Sequence, residues 1–153
     1  MANPDFVPHD AGYAARVAAS FARQQAMETI GAALAEVVPG RVVLELAWAA
    51  PLTQQHGFLH GGIVGMALDS ACGYAGFSLM PADAAVLTIE YKINMLAPAR
   101  GQRFRMEGLV VKPGRTITVA EGRAFAVDDG SEKLVATMTC TLMAVYDRAG
   151  IRH

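Results

Sequence analysis

The sequence predicts an α+β domain in which one antiparallel sheet folds around one long helix. Three observations carry that prediction. The stretch QQHGFLHGGIVGMALDSACGYAGFSLM, residues 54–80, turns from polar and Gly-rich to apolar on almost every face, and a helix of that kind must be buried by other elements. Four later stretches alternate apolar and polar residues as strands do. Pro39-Gly40, Pro113-Gly114 and Asp128-Asp129-Gly130 supply turns, because Pro presets φ and Gly accepts positive φ. The apolar face of a sheet and such a helix bury each other.

The elements follow in order. Between Asp10 and Ile30, apolar Ala14, Val17, Ala18, Phe21, Met27 and Ile30 recur at near-helical spacing among Arg16, Arg23, Gln24 and Glu28, which predicts one or two amphipathic helices ending near Gly31. Ala32–Val38 and Arg41–Ala49, joined by Pro39-Gly40, read as a hairpin. Pro51–Leu59 is an irregular entry to the central helix, which Pro81-Ala82-Asp83 stops. In Ala85–Leu96, Leu87, Ile89, Tyr91, Ile93 and Met95 are expected on one face and Thr88, Glu90, Lys92 and Asn94 on the other. Arg103–Val111, Thr116–Val127 and Lys133–Val145 follow, giving a four-strand meander, and the last eight residues or so are polar and loose. The expectation is one domain over 1–153, with an N-terminal helical segment at about 10–31.

Bulk composition narrows the function classes. A 53% hydrophobic and 18% charged chain of 153 residues has enough apolar material for a core. A net charge of −1 with no Lys/Arg run points away from nucleic acid and acidic membranes. Cys72 and Cys140 both lie in apolar segments, so buried thiols in the cytoplasm are expected rather than a disulfide framework. The opening MANPDFVPHDAGY lacks the charge and apolar core of an export signal. A bilayer span over 61–80 is disfavoured by its internal glycines, its Asp69 and the strand-rich remainder.

The chemistry gathers at the central helix. Gly61 and Gly62 open it, where backbone N–H groups are unpaired and the dipole is positive; bare amides there suit a developing oxyanion, although glycines also serve tight packing. Asp69, an acid in an apolar helix, is either hydrogen-bonded locally or works as a general base or nucleophile. It lies eight residues beyond Gly61, or about 12 Å along the axis. One chain therefore cannot bring both to one carbonyl. Two head-to-tail copies can, so the catalytic reading requires an isologous dimer with shared sites. His60 could position the loop or only bond locally; Gln54 could hold a carbonyl or only face water, and His56 has less to recommend it. Thr88 could hold a water. Lys112 and Arg115, flanking a turn, could bind phosphate or be exposed turn charges. No metal-ligand spacing, phosphate loop, dinucleotide fingerprint or nucleophile elbow occurs.

The run HGFLHGGIVGMALDSACG followed by TIEYKINMLAPA closely resembles the hotdog-fold acyl-CoA thioesterases of the phenylacetate-degradation (PaaI) type, over about Ala32 to Tyr146. The resemblance implies a hotdog fold, an acyl-CoA substrate and no cofactor. It implies that the Gly61 N–H polarises the thioester carbonyl and that Asp69 of the neighbouring subunit acts as base or nucleophile. Gln54 stands where relatives commonly carry Asn, and Thr88 where they carry a Ser or Thr that assists the water. Lys112 and Arg115 fall on the turn that grips the nucleotide end of CoA. Dimers that pair into tetramers are implied, with Ala85–Leu96 joining two sheets.

The reading is a cytoplasmic acyl-CoA thioesterase for aryl or medium acyl groups, with Phe58, Met66 or Phe77 offering apolar surface to the acyl chain. A thiolate leaves readily near neutral pH, so one carboxylate and an oxyanion hole suffice. The rivals are a hotdog hydratase or dehydratase and a non-catalytic acyl-CoA-binding module.

Overall fold

The computed structural model describes residues 6–151. Residues 1–5 of the stretch read for an export signal, and 152–153 of the tail, lie outside them. Two helices come first, α1 (Tyr13–Ala22) and α2 (Gln25–Ile30). Gly31 ends α2 in the left-handed conformation, φ 69°, with its N–H on the Glu28 carbonyl, a cap that glycine adopts without strain. The hairpin β1 (Ala33–Val38) and β2 (Arg41–Ala47) follows, then a 3-10 turn at Ala50–Leu52 and the central helix α3 (Gly61–Phe77). Strands β3 (Ala85–Met95), β4 (Arg103–Lys112), β5 (Ile117–Asp128) and β6 (Ser131–Val145) complete the chain. This is the predicted α+β architecture: six antiparallel strands in one sheet, with α3 packed on it.

The strand order is β1-β2-β4-β5-β6-β3, which corrects the expected four-strand meander. Of the last four strands, only β4, β5 and β6 are sequential neighbours. β3 pairs with β6 at the far edge, and β4 pairs with β2. A local pattern gives a strand its faces but not its neighbours; here the chain crosses the sheet between β3 and β4.

The register of β3 brings a second correction. The pairing with β6 shifts between Thr88 and Glu90, a bulge at Ile89, and one extra residue reverses the alternation of everything beyond it. Thr88 faces the helix, bonded to Asp69. Past the bulge, Tyr91, Ile93 and Met95 face it as well, coming within 3.6–4.0 Å of where side chains at Gly65 and Gly61 would stand. Thr88 is therefore not on the face opposite Tyr91 and Ile93.

The helix lies very close to the sheet. A side chain at Gly108 of β4 would meet the Ala71 carbonyl carbon and oxygen at 2.3 Å, so the backbones touch where only glycine fits. Val64, Ala67, Leu68, Ala71, Cys72, Ala75 and Phe77 of α3 are fully buried. The burial is not all round, however. Gly62 and Met66 are exposed and Asp69 and Gly73 half-buried, and their 4-3-4 spacing makes one open stripe beside β3. Arg16 of α1 closes the other end: its Nη2 donates to the Met80 carbonyl at 2.8 Å and its guanidinium lies 4.2 Å from the Phe77 ring centre. Among the described residues no helix is long and apolar enough to cross a membrane.

Candidate active site

Asp69 sits on the open stripe of α3 and accepts a hydrogen bond from Thr88 Oγ1 at 2.7 Å. The bond holds one carboxylate oxygen. With Gln24, Ser70, Gly73, Tyr74, Val86 and Thr88 it lines a cavity of about 110 Å³. Only Asp69 and Thr88 are among the candidates read from the sequence; the other polar members, Gln24, Ser70 and Tyr74, are not. Gln24, at the start of α2, donates through Nε2 to Ser70 Oγ at 3.2 Å, while its Oε1 is buried without a donor. The Tyr74 hydroxyl lies 3.3 Å from Ser20 Oγ. Burial pushes the Tyr74 phenol above its usual range, so near neutral pH it is an uncharged hydrogen-bonding group.

The opposite end of the helix is built from the 54–60 loop. His60 is the N-cap, and its Nδ1 accepts the Gly62 N–H at 2.9 Å. That ring nitrogen is an acceptor, so a neutral His60 carries its proton on Nε2. The cap uses the Gly62 amide and leaves the Gly61 N–H with no acceptor among the described residues. Of the two glycines, the structure frees the first. A side chain at Gly61 would touch only Met95 Cε, at 3.6 Å. Gln54 accepts the His56 N–H on its own Oε1, which leaves its amide NH₂ as the group that can reach outward. His56 stays on the exposed loop beside Gln55.

The remaining candidates scatter. Phe58 is half-buried and Met66 is 36% exposed on the stripe. Phe77 is fully buried beneath Arg16, which corrects its place among acyl-lining residues: it belongs to the core. Lys112 and Arg115 are exposed. Arg115 lines an apolar cavity with Gly76, Leu79 and Met80, at the C-terminal end of α3. Cys72 and Cys140 are buried free thiols. A hydrogen bond with Cys140 and then burial push the Cys72 thiol well above its usual range, so Cys72 is no nucleophile. Among the described residues no group of three or more His, Cys, Asp or Glu could hold a metal ion.

One chain thus presents two candidate groups: a positioned carboxylate, and a free amide at a helix start. They face the edge strand β3, where Leu87, Ile89, Tyr91 and Met95 are 37–53% exposed. An apolar surface of that kind asks for a cover.

Comparison with known proteins agrees with this architecture. Residues 56–133 match the model of the Thioesterase superfamily. A thioesterase family protein from Silicibacter pomeroyi has the same fold, with a TM-score of 0.87 at 58% identity, covering 88% of this chain and 99% of the other. A putative esterase of Saccharolobus solfataricus is 39% identical over 82 residues, 54% of this chain, and the match spans 58% of that relative's length. PaaI of Escherichia coli, from the phenylacetic acid degradation operon, shares the fold with a TM-score of 0.77 at 20% identity, covering 87% and 94% of the two chains.

Proposed function

The chain belongs to the thioesterase superfamily, and from that premise we propose that it is a thioester hydrolase that cleaves acyl-CoA at two equivalent sites shared across a homodimer. The observation that carries this reading is the bond from Thr88 to Asp69 on the one open stripe of an otherwise buried helix. Asp69 and Gly61 are about 12 Å apart along the axis, too far to serve one carbonyl. A second copy laid head-to-tail puts the free Gly61 N–H of one subunit beside Asp69 of the partner subunit, and the same contact covers the exposed residues of β3. Two such dimers pair into a tetramer in this reading.

In such a pocket the thioester oxygen rests at the Gly61 N–H, where the helix start favours the charge that develops on it. The Gln54 amide adds a donor from the same loop, His60 holds the loop in place, and Gly62 lets the substrate approach. Asp69 of the partner subunit, its orientation fixed by Thr88, either attacks the carbonyl carbon, giving an acyl anhydride that water then hydrolyses, or takes a proton from the water that attacks it. The tetrahedral intermediate collapses by breaking the C–S bond, and the thiolate leaves without a strong general acid. The acyl group enters the cavity beside Asp69. Its ~110 Å³ within one chain suits an aromatic ring or the first carbons of a medium chain, with Met66 and Phe58 extending the apolar wall. Lys112 and Arg115 remain available to CoA phosphates.

Thiol release over a panel of aryl- and medium-chain acyl-CoAs tests the reading. Turnover is expected for at least one class, and Asp69→Ala should lower kcat by ~10²-fold or more. Absence of thiol release from every ester, or near-normal turnover by Asp69→Ala, overturns it.

A further inference from the structure

We propose that a groove framed by Trp48 and Arg100 seats the adenine nucleotide of the substrate, an inference that rests on the acyl-CoA reading above. The groove, about 380 Å³, is lined by Trp48, Gly57, Arg100, Gly101 and Gln102. Two loops build it. The Trp48 N–H donates to the Gln102 carbonyl at 2.9 Å, and the indole Nε1 donates to the Gly57 carbonyl at 3.0 Å. These bonds hold the ring, yet it remains 44% exposed. A fixed aromatic face left open is a stacking platform for a base.

Charge points to the same ligand. No acid lines the groove, and Arg100 is exposed with no acidic partner among the described residues. At this end of the sheet Arg105 is committed to Glu132, whereas Arg103, paired with Ala47 next to Trp48, is likewise exposed with no acidic partner among the described residues. A free guanidinium beside an indole matches a phosphorylated purine, through a forked hydrogen bond to phosphate and a flat face for the ring.

Position connects the groove to the reaction. Gly57 belongs to the loop that ends on Gly61, four residues away, at most about 14 Å of chain. The extended pantetheine arm of CoA exceeds that span, so a thioester at the Gly61 amide can lay its nucleotide on Trp48. Within one chain Arg115 is much further off, its cavity reaching α3 at Gly76, about 22 Å along the axis from Gly61.

Trp48 is the only tryptophan, so its emission reports on this groove alone. Adenosine 3′,5′-bisphosphate, which carries the nucleotide without the thioester, should quench it saturably, and Arg100→Glu should weaken that binding by about tenfold or more. In kinetics, Arg100→Glu should raise KM about tenfold for an acyl-CoA, and the effect on the same acyl group carried by N-acetylcysteamine should be at least fivefold smaller. Trp48→Phe, which keeps a ring, should fall between. Unmoved emission, or equal effects on the two esters, overturns the proposal. If the parent protein hydrolyses neither ester, it is the thioesterase reading that fails, and the emission titration still decides the groove.

Discussion

Arg16 shows how single residues tie this fold together. Its guanidinium reaches back from α1 to the Phe77 carbonyl that ends α3 and the Met80 carbonyl just beyond, where a cation suits the helix dipole, and its Nε is held by Asp10 at 2.8 Å. The Gly12 N–H, then the Arg16 guanidinium, lower the Asp10 carboxyl below its usual range. A carboxyl lowered in the folded state stabilises above the ordinary value of about 3.9 and stops doing so as pH falls through its lowered folded value. Asp10→Asn should therefore be less stable than the parent in urea at pH 7, and the gap should close by pH 2–3. A gap unchanged with pH would show that the pair contributes nothing. At this scale the site was half legible. Asp69 stands out because an acid inside an apolar helix is costly without a role. Gln24 does not, because a glutamine just before an amphipathic helix looks solvent-facing until its partner is known, and Ser70 and Tyr74 read as ordinary members of a buried helix.

The elements depend on how closely α3 approaches the sheet. Gly108 meets the backbone of Ala71 and Cys72, which cannot rotate away, whereas a side chain at Gly76 would meet the flexible end of Leu142. Gly108→Ala should cost roughly 2–3 kcal/mol or more in urea unfolding, and Gly76→Ala distinctly less. Equal losses would mean that the helix slides freely on the sheet. Turns and faces were readable because Pro-Gly and period-2 patterns are local signals. The neighbours of β3 were not, since its pairing with β6 is decided by where the chain passes the helix. Its two halves read as one continuous alternation, with Thr88 opposite Tyr91 and Ile93, because a bulge leaves no mark in residue type.

For the whole molecule, shared sites make a strict prediction. Gly61 is the first residue of α3, a position that accepts proline, and His60 before it is already extended at ψ 137°, as a residue preceding proline must be. Gly61→Pro should thus fold while losing its free N–H, and with it ~10²-fold or more in kcat. Refolded together with Asp69→Ala in equal amounts, two nearly inactive proteins should recover about a quarter of parent activity, because half the dimers are mixed and each has one complete pocket. A mixture that stays inactive although both variants fold and dimerise would exclude composite pockets. The kink at Ile89 has its own consequence. An unpaired, oily margin eleven residues long invites stray strands and, from there, fibrils. A twofold-related copy carries the same irregularity and can match it, while a foreign strand cannot. Deleting Ile89 should straighten that margin and let the protein bind thioflavin T on standing at concentrations where the parent stays clear.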